Sequence, residues 1–580
     1  MRRTLRPFVR PVPQFALAGM LALLAFPLPT AAGGAGNDHS RWSSSVSASN
    51  AVVSTPTTGG GYPQNFPTEG GCRLGSYNAN HSESDIAVKP GTEILVGSSK
   101  FFFEKFSTFY GFHLGSYNIP GTNPSATTNN IVQGYECVTD KGMTQEMPPS
   151  WTDTTDPNVD FDTKGRVYQT MLPFNAFWTN LHPNGEITAS FSDDLGAQWV
   201  TGNGGKALEM VPNSSSFSFH FEDKQWIAVN HFPGSKFQDH VYAAWDLGNS
   251  GGNATAVREA TSRDRGLSFS PAQTVGSASV DQLKNGFPIP AVGPDSSVYI
   301  AWNNFGNINQ NTTDFFVTRS TDDAVTFSTP VRAASTTLIA NGELNTRLPN
   351  TTFRDGVPMG FAASADFPGH LYMAFQKING AAYDVFFTQS TDGGLTWSTP
   401  MTVNDPSTVG DATDQFQPQV TVGPGGAVAV GFYDRRAACP KNDPTIIPQD
   451  QSRTNFCIDL SVQPFKDAGT SAGAVPVGAN IRASQFTWDP QQPGLLVNPD
   501  GTTTDLQTLG REGQSACPTH ADPCPISFIG DYFGMAISGS NIYTLTVSTH
   551  YPSGVISDQG TPLFYQQEVL GTISRAAAGI

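Results

Sequence analysis

An eight-residue turn that occurs four times constrains this chain more than any other feature. It reads Ser192-Asp-Asp194-Leu-Gly196-Ala-Gln-Trp199, Ser262-Arg-Asp264-Arg-Gly266-Leu-Ser-Phe269, Ser320-Thr-Asp322-Asp-Ala324-Val-Thr-Phe327 and Ser390-Thr-Asp392-Gly-Gly394-Leu-Thr-Trp397. The first residues stand 70, 58 and 70 positions apart, and repeats of such a period belong to solenoids and propellers. An Asp in a tight turn accepts hydrogen bonds from the turn's own backbone N–H groups. Gly supplies the positive φ such a turn requires, and the closing Trp or Phe buries a large apolar area. Ala324 stands where the other copies carry Gly, so a strained or altered turn is expected there.

Strand pairs surround these turns. Seven segments share one pattern of strand, Pro/Gly/Asp turn and strand ending in aromatics: 84–99, 157–171, 225–245, 287–302, 357–375, 417–433 and 531–547. Four antiparallel strands repeated around a ring make a propeller blade. The expectation is an all-β propeller of four-stranded antiparallel blades, seven in number, or six if the first unit is irregular. Residues 33–70 read as a flexible lead-in, 71–575 as the propeller, and 437–525 as a disulfide-bearing insertion. The strand near 563–570 is expected to complete the first blade and close the ring.

Composition agrees and excludes. Only 14% of the 580 residues are charged, while Gly 58 and Pro 43 mark a turn-rich chain, against long solvated helices. A net charge of −17 gives no electrostatic basis for nucleic acid or anionic membrane. Residues 1–32 carry four arginines, then an apolar run from Phe15 to Phe26, then Thr30-Ala31-Ala32, the layout of an export signal. That run is shorter than the roughly 20 residues a spanning helix needs, so a secreted monomer without membrane insertion is expected. The six cysteines then sit where disulfides persist, and proximity favours Cys72–Cys137, Cys439–Cys457 and Cys517–Cys524. No EF-hand spacing supports a structural calcium ion, and no cofactor is implied.

The turn Ser-x-Asp-x-Gly-x-Thr-Trp/Phe resembles the Asp box, or BNR repeat, of the sialidase (neuraminidase) superfamily. In that family it joins the third and fourth strands on the face away from the substrate. Asp194, Asp264, Asp322 and Asp392 are accordingly structural. The resemblance implies a pocket on the face where strand two leaves and strand one begins, and hence an exo-acting glycoside hydrolase of sialidase type directed at a glycan. A non-catalytic glycan- or protein-binding propeller is the alternative. Residues preceding strand one are Glu83, Asp85, Asp156, Glu222, Asp223, Lys224, Arg354, Asp355, Asp414 and Asp531; those following strand two include Trp245, Asp246, Trp302 and Tyr433-Asp434-Arg435-Arg436. Candidate catalytic residues are Asp434, Arg435, Arg436, Arg354, Tyr433 and Asp531. Candidate substrate-binding residues are Trp245, Asp246, Asp223, Trp302, Asp355 and Tyr532. Guanidinium meets carboxylate bidentately, so Arg435 and Arg436 read either as a sugar-carboxylate clamp or as a network holding the segment that follows. The family's Phe-Arg-Ile-Pro element is missing: Phe287-Pro-Ile-Pro290 lacks the Arg.

Overall fold

The computed structural model describes residues 41–54, 79–102, 112–131, 153–174, 186–210, 220–249, 255–276, 285–304, 312–337, 348, 353, 355–492, 495–497, 503–505, 529–551, 560, 562, 564 and 566–580. The export signal, Arg354 and Cys72, Cys137, Cys517 and Cys524 lie outside them.

Seven antiparallel sheets form a seven-bladed propeller. Their innermost strands are Ala79–Val88, Asp153–Phe161, His220–Val229, Asn285–Val292, Met359–Ala363, Gln415–Gly423 and Gly534–Ile537. Each touches the next, and the seventh touches the first, so the ring is closed. Alternation in these segments sends Ile, Val, Ala and Tyr to both faces of each blade, where they pack against the neighbouring sheet. Trp199, for example, is buried with Val96, Leu114, Val159 and Met171 of the first two blades.

Closure differs from the sequence expectation. The C-terminal strand Gln567–Ser574 is the third strand of the seventh blade, and the N-terminal strand Ser49–Val52 pairs with it as the fourth. Part of the supposed flexible lead-in is therefore structural. Trp42 is buried beside it, its Nε1 donating to Ser461 Oγ at 2.8 Å, with the guanidinium groups of Arg436 and Arg482 each 5.0 Å from its ring. Four residues, Ser-Asn-Ala-Val, are too few to show alternation in a Ser/Asn-rich stretch. The segment 437–525 also differs from a single insertion, because blade six's outer strands Asp459–Asp467, Ala474–Pro476 and Ile481–Arg482 lie within it. Cys439 and Cys457 form a disulfide in the connection before them.

The four repeated turns share one hydrogen-bond pattern. Ser192, Ser262, Ser320 and Ser390 Oγ donate to the Asp two residues on at 2.7–2.9 Å. The same Asp accepts a backbone N–H four residues further along, at 2.8–2.9 Å. Ala324 keeps these bonds by adopting φ 58°, a left-handed conformation costly for a residue with a Cβ. Strands one and three run the same way, so these turns share a face with the hairpins joining strands one and two.

Candidate functional site

At the opposite face, where strand one begins, five blades repeat a β-bulge. The register between strands one and two shifts at Ser82/Asp85, Thr155/Asn158, Asp223/Trp226, Gly286/Ile289 and Phe416/Gln419. Within each shift one non-glycine residue takes positive φ: Glu83 52°, Asp156 56°, Lys224 48°, Phe287 54° and Gln417 51°. Bulges re-aim side chains, and three of these converge. Lys224 Nζ lies 2.8 Å from Asp156 Oδ2, 2.5 Å from Asp531 Oδ2, 3.8 Å from Glu83 Oε1 and 3.9 Å from Asp223 Oδ1. Glu83 also pairs with Lys100 at 2.7 Å.

The segment Ile529–Phe533 reaches across to meet them. Val357 N of blade five donates to Asp531 O at 2.7 Å. Gln417 Nε2 of blade six donates to Gly530 O at 3.1 Å, and Tyr532 OH donates to Pro157 O of blade two at 2.8 Å. Glycine is required here: a Cβ on Gly530, with φ 99°, would stand 2.5 Å from Glu83 N, and one on Gly356 would stand 2.0 Å from Asp531 O. This end of the axis is sealed by a buried ion cluster and one crossing segment.

Burial sets the protonation of the cluster. It pushes Glu83 up to about 8, with the Asp156 charge adding to the effect and the two lysines opposing it. Burial also opposes the Asp156 charge, but Lys224 outweighs it and holds that carboxyl well below its usual range. Burial lifts Asp223 to about 7 against the pull of Lys224, helped by the Asp156 charge. Asp246, directly opposite Asp223 across the strand pair, is raised well above the ordinary value by burial and then by Asp223. Asp223 is the member that reaches solvent, its side chain 25% exposed. Asp223, its carboxyl lifted to about 7, thus stands at the rim of the cluster, with the raised carboxyl of Asp246 buried opposite it.

The other expected site residues are dispersed. Trp245 donates to Glu209 Oε2 at 2.8 Å and Trp302 to Asn285 Oδ1 at 3.0 Å, both buried within blades. Tyr433 is buried among Phe416, Phe533 and Trp488. Asp355 is buried and accepts from Gln376 Nε2. Arg435 is 0% exposed and Arg436 2%. Arg435 meets Asp414 at 3.1 Å and Phe456 O at 3.2 Å. Arg436 meets Asp405 and Asp434, each at 2.7 Å, and Asn480 at 2.9 Å. The geometry has the form of a network that ties the disulfide-bearing connection to blade six. The structure brings Asp223, Asp246, Asp531 and Tyr532 together and leaves the Tyr433–Arg436 run apart from them. Sequence reading placed Lys224 before strand one and missed it as the hub. A lone Lys between Asp223 and Gln225 in a Lys-poor chain was the available signal.

No protein-family model and no curated protein matches the sequence. Among solved structures the chain is similar to the Hadza microbial sialidase Hz136, with 12% identity and a TM-score of 0.36 over 61% of this chain. It spans 63% of that sialidase, less than two thirds of its length. It is similar to the α-L-arabinofuranosidase Arb93A of Fusarium graminearum, with 10% identity and a TM-score of 0.36 over 73% of this chain and 94% of that one. The polysaccharide lyase PL25 ulvan lyase gives 10% identity and a TM-score of 0.37 over 77% and 89%. At these values the fold assignment rests on the strand pairing of the chain itself.

Proposed function

We propose that this protein is a secreted, monomeric propeller directed at carbohydrate, acting as a glycoside hydrolase from the sealed end of its axis. The observation that carries this reading is the Asp223–Asp246 pair. A general acid works best with a pKa near the operating pH, and Asp223, lifted to about 7 and part-exposed, meets that requirement as the proton donor to a leaving glycosidic oxygen. Asp246 stands opposite it across the strand pair and accepts from Phe287 N at 3.1 Å. The resemblance of the four Asp turns to sialidase repeats supports a sugar substrate. Electrostatics favour a neutral sugar over a sialoside: Lys224 faces several carboxylates, and Arg435 and Arg436 are occupied by acids elsewhere. The disulfide supports export.

A second reading, a glycan-binding propeller without catalysis, is favoured by one feature. Asp156 and Asp531 are already bound by Lys224, so neither is free to act as partner to the acid. Hydrolysis of a panel of fluorogenic neutral glycosides and α-sialosides separates the two. Turnover of a neutral member that falls at least about 100-fold in Asp223→Asn supports the hydrolase. Glycan-array binding by folded, disulfide-intact protein that turns over no member supports the second reading.

A further inference from the structure

The Lys224 ammonium stands beside Asp223 yet is held elsewhere. Nζ lies 3.9 Å from Asp223 Oδ1, against 2.8 Å from Asp156 Oδ2 and 2.5 Å from Asp531 Oδ2. The two shorter contacts are charge-assisted hydrogen bonds, whereas 3.9 Å is too long for one. Three aspartates, from blade two, blade three and the crossing segment, thus compete for one cation, and Asp223 holds it least.

The backbone fixes the outcome of that competition. Asp531 O accepts from Val357 N at 2.7 Å, Gly530 O accepts from Gln417 Nε2 at 3.1 Å, and Tyr532 OH donates to Pro157 O at 2.8 Å. Asp531 is therefore clamped by blades two, five and six, and the lysine has to come to it. Lys224, with φ 48°, turns its own N–H onto Asp223 Oδ1 at 2.9 Å. An oxygen that faces both an N–H and an ammonium is the one that stays unprotonated, so the proton of Asp223 belongs on Oδ2. The other charged groups around Asp223 are acids: Asp246 opposite it and Asp156 and Asp531 beyond the lysine. Glu83, 3.8 Å from Nζ, has Lys100 as its own partner at 2.7 Å.

We propose that Asp531 is a positioning residue for Asp223: it holds the Lys224 ammonium away from that carboxyl, so that Asp223 keeps a proton to donate. The inference rests on the hydrolase reading for its catalytic meaning, since it names what sets the working range of the acid. The electrostatics agree with the geometry. Burial raises the Asp223 carboxyl, the Lys224 charge pulls it down, and the Asp156 and Asp531 charges lift it again. Released by Asp531, Lys224 closes on Asp223 and draws the proton off.

The test is carbodiimide labelling of the full chain, which requires a protonated carboxyl. Glycine ethyl ester is the amine, and Asp223 is read by peptide mass spectrometry as pH is varied. The wild-type midpoint at Asp223 is expected at about 7. In Asp531→Asn it is expected to fall by at least about one pH unit, since a cation within about 4–6 Å lowers a carboxyl by about 1–3 units. Glu83→Gln removes a carboxyl raised to about 8, hence already neutral at the Asp223 midpoint, and is expected to leave that midpoint in place. Asp246, 6% exposed, reports loosening of the fold: its labelling below the midpoint is expected to stay at the wild-type level. Should Asp531→Asn fail to fold, Asp156→Asn removes the other anchor, with the same shift expected. An unchanged Asp223 midpoint in a folded variant, or a shift accompanied by new labelling of Asp246, would overturn the proposal. The alkaline limb of neutral-glycoside kcat/KM is expected to follow the labelling midpoint. Protein without turnover would sink the hydrolase reading alone, because the labelling midpoints still decide what Asp531 does.

Discussion

The two ends of the propeller axis are built from the same seven strands and reach opposite solutions. Where the inner strands begin, bulged residues turn charged side chains inward, and Lys224 with Asp156 and Asp531 closes the axis. Where those strands end, alternation runs undisturbed, apolar side chains pack between neighbouring blades, and a cavity of about 650 Å³ remains on the axis. Filling a seven-bladed ring's centre with seven apolar strands leaves a gap. At one end it is bridged by long charged side chains and a crossing segment; at the other it stays open.

Lys224→Met breaks the sealed end most severely. It strands two buried carboxylates, and losing one partner of a buried ion pair costs about 3–5 kcal/mol, to be read as a fall in the urea midpoint. Arg436→Ala is expected to cost about 3 kcal/mol for the same reason, since Asp405 and Asp434 lose their guanidinium. A loss of glycoside turnover with no stability change in that variant would restore the clamp reading.

A pH titration sharpens the contrast. Glu83 is held at about 8 in the fold against an ordinary 4.5. The native state therefore binds more protons between those values, and stability falls as pH rises through that window. All of this contribution is present below about pH 4.5 and is lost above about pH 8. Glu83→Gln is expected to flatten that slope by at most about 1.4 kcal/mol per pH unit, measured as urea midpoint against pH. The open end responds least. Leu395, 69% exposed on the Asp-turn face, is expected to tolerate Leu395→Ser within about 0.5 kcal/mol.

What could be read from the sequence follows the range of each interaction. The Asp turns close on themselves within eight residues, so their residue types announced the turn, the strands beside it and the propeller. Asp223 and Asp246 were legible as positions flanking strands one and two. Ring closure was not, because Ser49–Val52 meets Gln567–Ser574 from the other end of the chain. The seal was not legible either: Lys224 and Asp531 lie 307 residues apart, and only the closed ring brings them together. The Arg435-Arg436 pair was conspicuous by composition, yet its partners Asp405, Asp414 and Asn480 lie within blades five and six.

The most direct measurement is neutral-glycoside turnover by wild type, Asp223→Asn and Arg436→Ala, with the urea midpoint of each. The account predicts that Asp223→Asn removes turnover from folded protein, whereas Arg436→Ala lowers the midpoint through the loss of its ion pairs. Turnover unchanged in Asp223→Asn, or lost in an Arg436→Ala protein of unchanged stability, would contradict a sugar site at the sealed end.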